Sequence, residues 1–179
     1  MIPTRDECLK LMDQHGMLGH IMDHCIEVAK VALFLSNELN KRGQKIDLNL
    51  VEASSLLHDL TKTLCLKTKE DHAKTGAVVL KALGYVRVGE VVGEHVHLSR
   101  ERDPFVISEE EVVNYADKRV RHDRIVSLDE RFIDLIDRYG KDARAQQQIE
   151  SLRGETFTVE AKIFSVLGID PDALEELIR

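Results

Sequence analysis

Apolar positions along the chain recur mostly at spacings of three and four, the period of a helix face, and seldom alternate as strand positions do. The clearest stretch runs from about Gly19 to Asn40, where Ile21, Cys25, Val28, Ala32, Leu35 and Leu39 form one amphipathic stripe, ended by Arg42-Gly43-Gln44. Before it, Thr4 with Glu7 three positions later has the form of a capping box and predicts a short helix ending near Gln14 to Gly16. After it, a third helix is predicted from Asp47 or Asn49 through Val51, Ala53 and Leu56-Leu57 into His58-Asp59. The polar, lysine-rich run from Thr61 to Glu70 predicts an irregular loop or a frayed turn. A fourth helix is expected from near Asp71 to a stop at Gly84, and a shorter fifth from Val86 to about His95.

Beyond a charged connector, Ser99 to Pro104, the pair Ser108 and Glu111 repeats the capping-box pattern and predicts a helix reaching about His122. Ser127 caps another through Phe132, Leu135 and Ile136, stopped by Gly140. Lys141 to Arg153 and Thr156 to Leu167 read as two further helices, and Asp170-Pro171 has the cap-then-proline form that opens the last. The expectation is an all-α bundle forming one domain over residues 1–179, with a motif core at about 20–120 and a C-terminal helical extension at about 127–179.

Composition narrows the function classes. A chain of 179 residues with 43% hydrophobic and 32% charged residues is long enough to bury a core without disulfide or metal staples. Its net charge of -7 argues against duplex nucleic acid as a partner, because that binding is driven by Lys and Arg neutralising phosphates. A local basic pocket remains compatible with that charge. Cys8, Cys25 and Cys65 are odd in number and form no C-x-x-C pair, so neither a disulfide framework nor a thiolate zinc site is indicated, and a reducing cytoplasm is expected. The N-terminus lacks a basic segment followed by an apolar one, and no window approaches ~18 consecutive apolar residues. Neither export nor a membrane span is expected. Gly-rich phosphate loop, nucleophile elbow and Rossmann fingerprint are all missing.

Candidate chemistry lies where imidazole and carboxylate groups sit near apolar helix stripes, since metal sites in helical domains are built from side chains projected inward by different helices. At ~100° per residue His24 falls roughly 60° from the centre of its stripe, and His20 about 100° away. His72 shares a face with Gly76, Val79 and Leu83, while Asp117 has Val113 and Val120 as helical neighbours. Singly, each has an ordinary explanation: a hydrogen-bonded boundary histidine, a solvated aspartate, a histidine at a helix C-terminus.

Together they resemble the HD-domain metal-dependent phosphohydrolases, all-helical proteins named for an adjacent His-Asp pair. The first family histidine, in an H-x-x-x-V-A pattern, matches His24 before Val28-Ala29. The signature pair matches His58-Asp59, followed by Lys62, and the last aspartate matches Asp117 in Asn114-Tyr115-Ala116-Asp117-Lys118. His72-Ala73-Lys74-Thr75-Gly76-Ala77 looks like the H-x-x-x-G-A helix of small two-metal members, and Glu94-His95 like their fourth histidine, an order similar to the YqeK-like diadenosine tetraphosphate hydrolases. His97 is the substitute for His95 if that segment is extended. Leu60-Thr61 after the pair departs from the HDIG form, and Gly84-Tyr85-Val86 is not a G-Y-P motif.

The resemblance implies a phosphohydrolase that cleaves a phosphate ester or anhydride of a nucleotide or dinucleotide by attack of a metal-bound hydroxide. It implies one or two divalent ions of Fe, Mn, Co, Ni or Zn, with His24, His58, Asp59 and Asp117 on one and His72, His95 and shared Asp59 on the other. Asp59 and Lys62 are the expected catalytic residues, Lys62 as a phosphate contact. Lys67, Lys69, Lys74, Lys118 and Arg121 are candidates to enlarge a positive pocket, although an ordinary solvated face is the simpler expectation for each. Glu70 and Asp71 are available as proton shuttles. The expected partner is a small phosphorylated substrate, and homo-oligomerisation stays open. The competing expectations are a non-catalytic HD module that binds a nucleotide or partner and signals through its C-terminal helices, and a plain helical adaptor.

Overall fold

A computed structural model describes residues 1–99 and 102–179. Arg100 and Glu101, part of the expected connector, lie outside the described residues. The fold is all-α. Helices α1 (Arg5–Gln14), α2 (Gly19–Lys41) and α3 (Leu48–Leu57) are followed by α4 (Lys62–Thr68), α5 (His72–Ala82) and α6 (Val86–Gly93). Then come α7 (Glu109–Lys118), a two-stranded antiparallel hairpin of β1 (Val120–Arg121) and β2 (Arg124–Ile125), α8 (Leu128–Tyr139) and α9 (Ala143–Leu167). A 3-10 turn, Pro171–Ala173, leads into α10 (Leu174–Ile178).

Local sequence accounts for most helix starts. Thr4/Glu7, Ser108/Glu111 and Ser127/Glu130 all form reciprocal capping boxes. Asp47, Asp71 and Asp142 accept from the first free backbone amides of α3, α5 and α9. The fully buried stripe of α2, with Cys25, Val28, Ala32, Leu35 and Leu39, makes it the central helix. It packs against α3, α7, the hairpin and α9, and its apolar face joins one contiguous core extending to Leu174. Helices α5 and α6 form a closely packed pair, in which a Cβ on Gly89 would stand 2.8 Å from the Ala77 carbonyl oxygen. Among the described residues no helix is long and apolar enough to cross a membrane.

Three expectations are corrected. The run Thr61 to Glu70 is neither an irregular loop nor a frayed turn: α4 occupies most of it, because Cys65 is buried on its inner side while lysines and leucines, good helix formers, supply the rest. It stops at Lys69, whose φ of 65° is left-handed. The helix predicted to reach His122 ends at Lys118, and the chain turns into the hairpin with His122 at a φ of 57°. The Arg119 side chain stabilises that turn by donating from Nε to the Val126 carbonyl at 2.7 Å. The two helices expected over 141–153 and 156–167 are one, α9. Gly154 costs such a helix only about 1 kcal/mol, and Leu152, Thr156, Val159 and Ile163 on either side of it are buried.

Candidate metal centre

The histidines and aspartates come from separate elements that the bundle brings to one point. His24 lies on α2, His58 caps α3 with Asp59 next in the chain, His72 opens α5, His95 follows α6, and Asp117 lies in the last turn of α7. Among the described residues two groups could each hold a metal ion: His24, His58 and Asp59, and Asp59, His72 and His95, with ligand atoms inside each group all within 4.8 Å of one another. Asp117 adjoins the first, its Oδ1 3.0 Å from His24 Nε2 and 3.6 Å from His58 Nε2. All are buried except His72, which is 28% exposed and marks the open side.

Backbone carbonyls set the orientation of three rings. Nδ1 of His24 donates to the His122 carbonyl at 2.9 Å, Nδ1 of His58 to that of Ser55 at 2.7 Å, and Nδ1 of His95 to that of Val92 at 2.7 Å. A carbonyl can only accept, so each Nδ1 carries a proton, and whenever the ring is neutral Nε2 turns its lone pair inward. The hairpin that replaced the expected end of α7 thus has a purpose at the site: it delivers the carbonyl that orients His24. Thr61 Oγ1, donating to the His72 carbonyl at 2.9 Å, ties the start of α5 to the same centre.

The inward atoms face other acceptors. His58 Nε2 stands 3.5 Å from Asp59 Oδ2, His95 Nε2 3.7 Å from Asp59 Oδ1, and His72 Nε2 3.2 Å from His95 Nε2. Among the described residues His58 Nε2 and Asp59 Oδ1 are buried without a hydrogen-bond partner. Buried polar atoms are ordinarily paired, and acceptors converge without donors where a proton or a cation fits between them. A donor set of imidazoles and carboxylates without thiolate suits a divalent transition ion.

Electrostatics point the same way. Burial would raise the pKa of Asp59, but His58, Lys62 and the neighbouring imidazoles hold it well below the usual carboxylate range. Asp117 is likewise held well below by Lys118, His24 and His58, against the effect of burial. Burial and the adjacent His58 push His95 well below the usual imidazole value, which keeps its Nε2 lone pair available. Burial disfavours charging His58, yet the Cys25 sulfur and the Asp59 and Asp117 carboxylates outweigh it and draw its pKa well above the ordinary value. The same anionic field would favour a metal cation, with which that proton competes.

Each carboxylate also has a lysine. Lys62 Nζ contacts Asp59 Oδ2 at 2.6 Å, and Lys118 Nζ contacts Asp117 Oδ2 at 2.7 Å while donating to the His95 carbonyl at 2.9 Å. Lys118 is therefore buried inside the site, contrary to the solvated face expected for it. Lys67, Lys69 and Lys74 are exposed, as an ordinary surface would have them. Arg121 is half-buried in β1. Asp71 caps α5, whereas Glu70 lines the cavity. His20 also lines the cavity but belongs to neither metal-competent group, and His97 is exposed.

The centre opens into a cavity of about 460 Å³. Part of its lining comes from α8 and α9, through Arg131, Leu135, Arg138, Tyr139 and Leu152, a contribution that motif reasoning missed. The signal was present in the spacing: Arg131, Leu135 and Arg138 follow at four and three, so they share one helix face.

A helical bundle with clustered imidazoles and carboxylates on adjoining helices is the architecture of a metal-dependent hydrolase superfamily. The HD domain family matches residues 21–142, and the chain belongs to that family. Among curated relatives, it is 29% identical over 154 residues to a tRNA (cytidine(56)-2'-O)-methyltransferase of Thermoplasma volcanium, covering 79% of this chain and 42% of that protein. The corresponding protein of Picrophilus torridus is 31% identical over 153 residues, covering 77% and 41%. An uncharacterized protein of Methanocaldococcus jannaschii is 24% identical over 149 residues, covering 76% of this chain and 87% of that one. The chain thus spans less than half the length of the two methyltransferases. No solved structure matches significantly.

Proposed function

We propose that this HD domain is a phosphohydrolase that cleaves a phosphate ester or anhydride of a nucleotide, using one or two divalent metal ions. The observation that carries it is the convergence of inward Nε2 atoms and carboxylate oxygens on two metal-competent groups that share Asp59, at the floor of a cavity. His24, His58, Asp59 and Asp117 would hold one ion, and His72, His95 and Asp59 the other. Bound there, the ions would supply Lewis acidity toward phosphoryl oxygens and a water acidified to near-neutral pKa.

The chain's own residues do the rest. The carbonyls of His122, Ser55 and Val92 keep three rings in the ligating tautomer. Lys118 neutralises Asp117 and, through the His95 carbonyl, ties α7 to the segment after α6. Lys62, half-buried at the cavity wall, is placed to exchange its contact with Asp59 for a phosphate oxygen, charge stabilisation being most of what phosphoryl transfer asks of a protein.

The test is metal content by mass spectrometry of protein purified without chelator, followed by phosphate release from nucleotides and dinucleoside polyphosphates, with Asp59→Ala as control. Stoichiometric metal, and release that the variant abolishes, is the expected result. Protein without metal, and with no difference from the variant on any substrate, refutes the proposal.

A second possibility draws on the relatives. In two proteins named for tRNA 2'-O-methylation, the matched segment is less than half of the whole, so an HD segment can accompany another activity. On that alternative the chain is a non-catalytic module that binds a nucleotide or partner. Tight nucleotide binding without turnover on any of several metals would identify it.

A further inference from the structure

The part of the cavity lining that α8 contributes holds two guanidinium groups, those of Arg131 and Arg138. Arg131 and Arg138 sit on one face of α8 with Asp134 between them. Arg131 Nη1 reaches Asp134 Oδ2 at 3.3 Å, and Arg138 Nε reaches Asp134 Oδ1 at 3.1 Å. One carboxylate therefore serves two cations and leaves a net positive charge on this wall. The Arg131 side chain is only 11% exposed, and its Nε is buried without a hydrogen-bond partner among the described residues. A guanidinium carries five donors, and a buried one is ordinarily engaged by more than a single contact at that length. Arg138 places Nη2 3.2 Å from the His122 ring nitrogen Nε2. The protein as a whole has a net charge of -7, so this cationic wall is a local exception. The same cavity is lined by the apolar side chains Ile21, Leu135 and Leu152 and by Tyr139, which is 55% exposed.

We propose that Arg131 and Arg138 form an anion subsite for a phosphate of the substrate other than the one being cleaved, and so select nucleoside di- or triphosphates over substrates with one phosphate. The proposal rests on the phosphohydrolase function argued above. A guanidinium suits a phosphate better than an ammonium does, because its planar fork meets two oxygens at once. Asp134 contacts both forks but balances only one of their two charges, and the apolar side chains that line the same cavity suit the sugar and base. A cavity of about 460 Å³ falls in the range that takes one small ligand such as a nucleotide.

The experiment compares native protein with Arg131→Gln, Arg138→Gln and the double variant, each loaded with the metal that supports turnover. KM and kcat are measured for a nucleoside diphosphate and for p-nitrophenyl phosphate. Removing one arm of a charge-assisted contact should raise the diphosphate KM about tenfold with much less change in kcat. The penalty on the diphosphate should exceed that on the one-phosphate ester by a similar factor. Arg131→Lys should restore only part of the loss, since it returns the charge without the fork. Binding of inorganic pyrophosphate, followed by calorimetry in the Asp59→Ala background, reads the subsite without turnover and should weaken about tenfold on adding either arginine change. Equal penalties on both substrates, or pyrophosphate binding indifferent to both arginines, overturn the subsite while leaving hydrolysis in place. Pyrophosphate binding that depends on the arginines, in a protein that hydrolyses nothing, supports the subsite and removes the phosphohydrolase function instead.

Discussion

Replacing Asp59 by Asn tests whether one carboxylate serves two ions. Asparagine keeps the volume of a fully enclosed side chain and deletes its charge. Asp59 stands 3.3 Å from His72 Nε2 and 3.7 Å from His95 Nε2 through Oδ1, and 3.5 Å from His58 Nε2 through Oδ2, so it belongs to both groups. Loss of an outer partner of a metal ligand typically weakens metal binding about 10–100-fold. Loss of an inner, shared carboxylate should weaken both sites by at least about a hundredfold, or roughly 2.8 kcal/mol each. With free metal at a hundred times the native Kd, each native site adds about 2.7 kcal/mol of stability. For a chain of this size 1 kcal/mol moves Tm by roughly 2–4 °C, so one site should raise it by about 5–11 °C and two sites by about twice that. In Asp59→Asn the same metal only half-fills each site and adds roughly 0.4 kcal/mol per site, a total shift of about 2–3 °C. The assay is thermal unfolding of chelator-stripped protein titrated with Mn, Co, Ni or Zn, alongside His24→Ala and His72→Ala. Those two should each remove one increment and leave the other. An Asp59→Asn protein that keeps the full native shift would refute the shared-ligand arrangement, and a His72→Ala protein that loses the whole shift would refute the division into two sites.

Two further outcomes follow from packing and burial. Gly89→Ala should destabilise the protein by about 1–3 kcal/mol, lowering Tm by roughly 2–12 °C, because its Cβ would meet the Ala77 carbonyl at 2.8 Å and Lys81 Cγ at 2.9 Å. An unchanged Tm in a thermal melt would show that α5 and α6 can separate freely. Burial, aided by Glu52 and Glu7, pushes the Cys8 thiol from an ordinary value of 9.0 up to about 12. The folded state then holds a proton that the unfolded state has released, so the thiol's contribution to stability is intact below pH 9 and lost as pH rises from about 9 toward 12. Urea unfolding of native protein should show a steeper alkaline loss than Cys8→Ala, and iodoacetamide at about pH 8.5 should modify Cys8 only after unfolding. Rapid modification of Cys8 in the native protein would contradict its burial.

Much of the fold was legible because helix starts are local events. A Thr or Ser with a Glu three positions on satisfies backbone amides within a single turn, so α1, α7 and α8 begin where the capping boxes indicate. Helix ends and breaks were less legible. Lys118 and Gly154 show why: one helix stops because Arg119 finds carbonyls in residues distant along the chain, and another continues through a glycine because its flanking turns are buried. Helix α4 depended on the burial of Cys65 at the cavity, which the lysines around it concealed.

The candidate centre divides along the same line. The inward inclination of His24 and His72, the adjacency of His58 and Asp59, and Asp117 near the end of an amphipathic helix are properties of spacing, which the sequence alone determines. Distances between elements are not local. Only the tertiary structure decided that His95 and not His97 turns inward beside His72, that Lys118 lies in the site, and that the His122 carbonyl orients His24. It also decided that α8 supplies the cationic wall. The reason is physical: a helix's own periodicity states which face must be buried, but the partner of that face, and the acceptor left unpaired within it, are set by how the remaining helices close around it.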